Sequence, residues 1–161
     1  MYNYKEDASW KNGQEVEKAF EEILKREGVS YKVATKKQQF EHIDFITNYG
    51  TMDVKAMKKD NRGDAFTQNE QIWIEILNVQ GKKGWACSGV DFITFEREND
   101  FITVRRSALE KMVREKCDLQ DRVYKSQDAL YKGYRRAGRK DLITKVLMTD
   151  ILELHRKEWA K

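Results

Sequence analysis

"HIDFITNYGTMDVKAMKK", residues 42–59, decides how the rest of the chain is read. Apolar and polar residues alternate on both sides of Asn48-Tyr49-Gly50, a triplet with hairpin-turn chemistry. Residues 41–47 and 51–57 therefore read as two antiparallel strands. Successive side chains of a strand point to opposite faces, which puts Asp53 and Lys55 on one face and Val54 on the other. A turn centred on Asn48-Tyr49 sets Asp44 opposite Asp53; one centred on Tyr49-Gly50 sets it opposite Lys55. Either brings the three charges onto one face. A one-residue slip would set Asp44 against Val54 and misplace Ile43 and Phe45.

Two carboxylates held close together repel unless a positive charge lies between them. Lys55 supplies part of that charge, and a divalent cation would supply more. Oxygen-only ligands suit Mg²⁺ or Mn²⁺ rather than zinc. Such an ion acidifies a bound water and offsets charge on a leaving oxygen, and a neighbouring lysine steadies the charged transition state. The reaction class is phosphodiester hydrolysis; the plain alternative is three charges on a solvated hairpin. With 27 acidic residues among 161, roughly three acid-x-Lys triplets are expected from composition alone, so the weight rests on their neighbours.

Upstream, residues 14–27 place Val16, Ala19, Phe20, Ile23 and Leu24 at helical spacing, with Gly28 as a stop. Residues 29–35 read as a short strand and KKQQ as a polar break. Downstream, residues 58–69 read as a loop and 71–79 as a strand with one buried face. Gly81-Lys82-Lys83-Gly84 is a turn from which residues 85–88 return. Residues 90–95 and 101–104 add strand. From Ser107 the spacing turns helical: Leu109, Met112 and Val113, then residues 123–133, then a last helix over 141–159. The expected fold class is α/β, a mixed central β-sheet flanked by helices, with a helical C-terminal segment. Residues 1–161 form one domain, with a core over 13–104 and a basic helical extension over 105–161.

Composition sets the outer bounds. Hydrophobic residues make up 40% of the chain, enough for a core, and charged residues 36%. No run approaches the roughly 18 apolar residues that span a bilayer, and MYNYKEDASWKNG lacks the apolar stretch of a secretory signal. Cys87 and Cys117 form no C-x-x-C, which argues against structural zinc; a cytoplasmic location with no membrane partner is expected. Residues 1–104 hold 15 Lys+Arg against 18 Asp+Glu, and residues 105–161 hold 16 against 9. A basic back half suits an acidic partner such as nucleic acid.

Asp44, a gap, and Asp53-Val54-Lys55 at the end of a hairpin resemble the PD-(D/E)XK nuclease superfamily. Gly13-Gln14-Glu15-Val16-Glu17 on the preceding helix is similar to the G-x-x-x-E pattern found there and picks out Glu17. The resemblance covers about residues 13–95. Ile43 departs from it, standing where a proline often precedes the first aspartate. Glu75 in QIWIEIL is a candidate for a further acid on the next strand, and Gln71 a weaker one. The resemblance implies a restriction-endonuclease-like fold and Mg²⁺- or Mn²⁺-dependent hydrolysis of DNA, with RNA a further possible substrate and a homodimer plausible. It also implies Asp44, Asp53 and the Val54 carbonyl as metal ligands, Lys55 as the catalytic lysine, and Glu17 as an added ligand or base.

His42 shares the face of Asp44 and reads as a phosphate or water contact, or as a half-buried histidine. Lys58, Lys59 and Arg62 follow the hairpin and would line a substrate groove; Lys82 and Lys83 form a basic tip. Trp73 and Trp85 read as core or sheet-face residues. "YKGYRRAGRKD", 131–141, offers Arg135, Arg136, Arg139 and Lys140 at a helix-turn-helix junction for phosphate contacts. Two rivals stand beside the nuclease: a nucleic-acid-binding protein without catalysis, and a protein-interaction or inhibitor module.

Overall fold

The computed structural model describes residues 8–161; the first seven residues of the expected domain lie outside the described residues. Helix α1 (Ala8–Arg26) buries Val16, Phe20, Ile23 and Leu24 along one stripe. It stops at Gly28, whose φ of 68° suits a residue without a Cβ. The Gly28 N–H reaches the Lys25 carbonyl and the Val29 N–H the Leu24 carbonyl, a Schellman closure.

Six strands form the first sheet: β1 (Tyr31–Val33), β2 (Phe45–Thr47), β3 (Gly50–Lys55), β5 (Phe92–Glu96), β6 (Asp100–Arg105) and β10 (Arg156–Ala160), in that spatial order. The β3–β5 pair is parallel and the other pairs are antiparallel. A parallel pair needs a crossover. Residues 56–91 supply it, and they carry β4 (Gln71–Leu77) away into a second sheet with β9 (Leu142–Leu147), β8 (Lys132–Tyr134) and β7 (Asp118–Val123).

Each face of the first sheet has its own core. Phe45, Met52, Val54, Phe101 and Trp159 pack under α1, where the Phe20 ring lies 5.2 Å from Phe101 and meets Trp159 edge-on. On the other face Ile93, Phe95, Ile102 and Val104 meet Ile74, Ile76, Leu142 and Val146 of the second sheet. Helix α3 (Arg106–Lys116) adds Leu109, Met112 and Val113, and α4 (Met148–Leu152) adds Met148 and Ile151. The α/β class with mixed sheets is as expected. The second face differs: a sheet with α3 covers it, not helices alone.

The expected helical C-terminal extension is corrected. Of residues 105–161 only α3 and the five-residue α4 are α-helical; β7, β8, β9 and β10 replace the helices expected over 123–133 and 141–159. Leu142 and Val146 are four apart, a separation that repeats in both the helical and the strand period. Buried Thr144 between them breaks the tie toward a strand, and Ile143, Thr144 and Val146 are all β-branched. Pairing then completes both sheets, since β9 covers β4 and β10 covers β6. Smaller corrections follow from the same competition. KKQQ lies in helix α2 (Lys36–Phe40), whose cap Thr35 accepts from the Gln38 N–H, and residues 85–87 form a 3-10 turn instead of a strand. Among the described residues no helix is long and apolar enough to cross a membrane.

Candidate active site

The hairpin pairs Phe45 with Met52, Ile46 with Thr51 and Thr47 with Gly50, so the turn is centred on Asn48-Tyr49. Thr47 holds it closed, its Oγ1 accepting from the Tyr49 and Gly50 N–H groups. One step along that register Asp44 opposes Asp53. Asp44 lies in the bend before β2, yet its N–H still donates to the Met52 carbonyl at 2.8 Å. Its Oδ2 accepts from the Val54 N–H at 2.7 Å.

Asp53 points away from α1, toward Ile93 and the second core, and is 3% exposed. Lys55 Nζ lies 3.0 Å from its Oδ2 but out of line for a hydrogen bond, and among the described residues that oxygen has no hydrogen-bond partner. Burial lifts the Asp53 carboxyl to about 7 against the pull of Lys55, with Asp44 adding repulsion. Glu17 joins them from the third turn of α1. Burial raises it to about 8, helped by Asp44 and then Asp53 and opposed by Lys55. Helix and hairpin thus gather three carboxyl groups around one ammonium, too little positive charge to hold Glu17 and Asp53 at their ordinary values.

Trp85 covers this ammonium, its ring centroid 4.9 Å from Lys55 Nζ. Nothing in the sequence joins residues thirty apart across a crossover, so this cation–π contact was not legible there. Glu75 accepts from the Trp85 N–H at 3.3 Å, and burial raises its carboxyl while Lys55 works against the rise. Glu75 therefore stands beside Lys55 by way of Trp85. Gly84 makes that approach possible. A Cβ there would sit 2.5 Å from the Glu75 carbonyl oxygen and 2.7 Å from its Cγ. Gly84→Ala should destabilise the fold by about 1–3 kcal/mol, read as a lower midpoint in urea, and should loosen Trp85 from Lys55.

His42 occupies the C′ position of α2 with a φ of 64°, its N–H bonded to the Gln39 carbonyl and that of Ile43 to the Gln38 carbonyl. Burial and the Lys55 charge hold its imidazole below the usual range, against Asp44 and the nearby Lys83 backbone. The Lys82-Lys83 turn thus lies near His42.

The basic stretches sort themselves by tertiary structure. Residues 135–141 join β8 to β9, so they are a strand connection and not a helix-turn-helix junction. The Lys140 N–H reaches the Val79 carbonyl, which brings exposed Arg139 and Lys140 beside exposed Lys82 and Lys83. Arg135 is exposed, whereas Arg136 is committed to buried Asp141 through its Nε at 2.9 Å. Lys59 and Arg62 are exposed on the β3–β4 loop, and Lys58 bridges to Gln68 across it. In the same loop Asp60 takes buried Lys145 at 2.6 Å, an ion pair that fixes the loop on β9.

Among the described residues no three His, Cys, Asp or Glu side chains form a ready metal cage. The donor chemistry nevertheless suits a hard cation: oxygen atoms only, one of them buried without a hydrogen-bond partner, in a group short of positive charge. No family model matches the chain, and no characterised protein or solved structure is similar to it at a significant level.

Proposed function

We propose that the chain is a Mg²⁺- or Mn²⁺-dependent nuclease that hydrolyses phosphodiester bonds in DNA, built on a restriction-endonuclease-like core. The observation that carries this reading is the convergence of Glu17, Asp44 and Asp53 with Lys55 at the end of one hairpin. The order helix, antiparallel hairpin, parallel strand supports the same core.

Asp44 and Asp53 would hold the ion, with Glu17 facing it from α1. When bound, the ion would supply Lewis acidity to the phosphate and an acidified water. Lys55, placed by Asp53 and covered by Trp85, directs its ammonium at the charge that builds on the phosphate oxygens. Glu17, ionised once the cation's charge is added beside it, would take the proton of the attacking water. The exposed cations of the 78–83 and 135–140 loops hold the sugar-phosphate backbone beside this centre.

The test is an incubation of supercoiled, linear, single-stranded and branched DNA with Mg²⁺, Mn²⁺ or chelator, using wild type and Lys55→Ala. Cleavage by the wild type only with metal, and its loss in the variant, is the expected result. Salt-sensitive binding without cleavage would establish the non-catalytic rival, and absence of both would leave the interaction module.

A further inference from the structure

A second concavity of about 230 Å³ opens on the α1 face of the six-stranded sheet, on the side away from Asp53. Phe92, Thr103 and Trp159 form its floor. Arg105, His155, Arg156 and Lys157 line its rim, and among the described residues no acidic one does. Among the described residues Arg105 and Lys157 have no ion-pair partner. Each instead lies over a ring of the floor, Arg105 5.7 Å from the Phe92 centroid and Lys157 4.5 Å from that of Trp159. Arg156 is tied to Glu158 at 3.1 Å, and the carboxylate of Asp91, next to Phe92, is taken up by the Thr51 N–H and hydroxyl. Tyr49 completes the rim from the hairpin turn, 63% exposed and so available as a stacking face.

The lining spans four neighbouring positions of the sheet, with Tyr49 in the turn before β3, Phe92 on β5, Arg105 on β6 and Lys157 on β10. At about 4.8 Å per strand the row is about 14 Å long. That length, with the cations at one end and the Tyr49 ring at the other, suits a base with its adjoining phosphates better than one anion. We propose that this concavity is a second nucleic-acid contact, which takes a single strand with its phosphates on Arg105 and Lys157 and an unstacked base on Tyr49. It deepens the nuclease reading and rests on nucleic acid being the substrate. A strand held here lies across the sheet from the scissile phosphate, so the protein grips its substrate at two separate places.

Binding of a labelled single-stranded oligonucleotide by the full chain, in chelator across a salt series, tests this without reading the metal centre. Arg105→Glu with Lys157→Glu should lower affinity at least tenfold and reduce the slope of log affinity against log salt by about two. Arg105→Gln, which removes one charge and little else, should reduce it by about one. Tyr49→Ala should weaken single-strand binding about fivefold or more with an unchanged melting temperature. Slope and affinity within twofold of wild type in folded Arg105→Gln and Tyr49→Ala proteins would overturn the site. So would displacement of the oligonucleotide by an equal concentration of inorganic phosphate. An unaltered slope alongside metal-dependent cleavage refutes this contact and spares the nuclease. A reduced slope with no cleavage under any metal does the reverse.

Discussion

Asp53→Asn should abolish cleavage and, with divalent metal removed, raise the melting temperature at pH 8. The two effects share one cause. Asp53 is 3% exposed and beside Asp44, so its ionised form is tolerated only for what a charge can do there. The amide keeps the shape and removes the buried charge, relieving a penalty of order a few kcal/mol, less whatever the contact with Lys55 returned. For a chain of this length about 1 kcal/mol corresponds to roughly 2–4 °C, so a rise of several degrees is expected by calorimetry in chelator. Cleavage should fall by at least about 10²–10³-fold, the loss seen when one charged contact to a transition state is removed. An asparagine variant that cuts at the wild-type rate would sink the site assignment. A lower melting temperature at pH 8 would show instead that the Lys55 contact outweighs desolvation.

The metal-free protein should lose stability between pH 5 and pH 8, and Mg²⁺ should restore it at pH 8. Glu17 and Asp53 are raised to about 8 and about 7 from ordinary values of 4.5 and 3.8. Between those limits the folded chain binds more protons than the unfolded one, so folding stability falls as pH rises through the window and flattens above it. Metal competes with these protons, so added Mg²⁺ should raise the melting temperature strongly at pH 8 and little at pH 5. Asp150 sets the opposite limb. Burial works against its ionisation, but Lys116, Tyr131 and the Leu147 N–H outweigh burial and hold its carboxyl below the usual range. Its contribution is present above the ordinary carboxylate value and is lost as pH falls below it. Melting curves from pH 3 to 9, with chelator or Mg²⁺, should therefore peak near pH 5 without metal and broaden toward pH 8 with it. A metal-free profile flat from pH 5 to 8 would refute the carboxyl cluster.

Much of the hairpin was legible because alternation is local. Phe45, Met52 and Val54 can share a face in only a few registers, and each even-length turn sends Asp44 to the side of Asp53. The alternative turn on Tyr49-Gly50 fell because Thr47 caps the turn one residue earlier. Glu17 was picked out by the resemblance of Gly13–Glu17 to a G-x-x-x-E pattern, yet its meeting with Asp44 depends on how α1 crosses the sheet. The C-terminal segment misled because Leu142, Val146, Ile151 and Leu154 satisfy a helical spacing, while Leu142 and Val146 pair across the sheet with Leu77 and Ile72 of β4 and only Ile151 lies in a helix. Arg136 illustrates the same limit: in sequence it is one cation of a basic run, and in the fold it is spent on Asp141.

The sequence by itself determined the hairpin, the face its three charges share, the helix that carries Glu17 and the place where that helix ends. These follow from period, turn chemistry and glycine geometry, all of which act over a few residues. Only the tertiary structure decided that most of the basic C-terminal segment becomes strand, that Trp85 covers Lys55, and that the turn at Gly81 meets Lys140. Those outcomes depend on which hydrogen-bonding edge and which apolar face remain open after the first sheet forms, a competition among distant segments that no local pattern records.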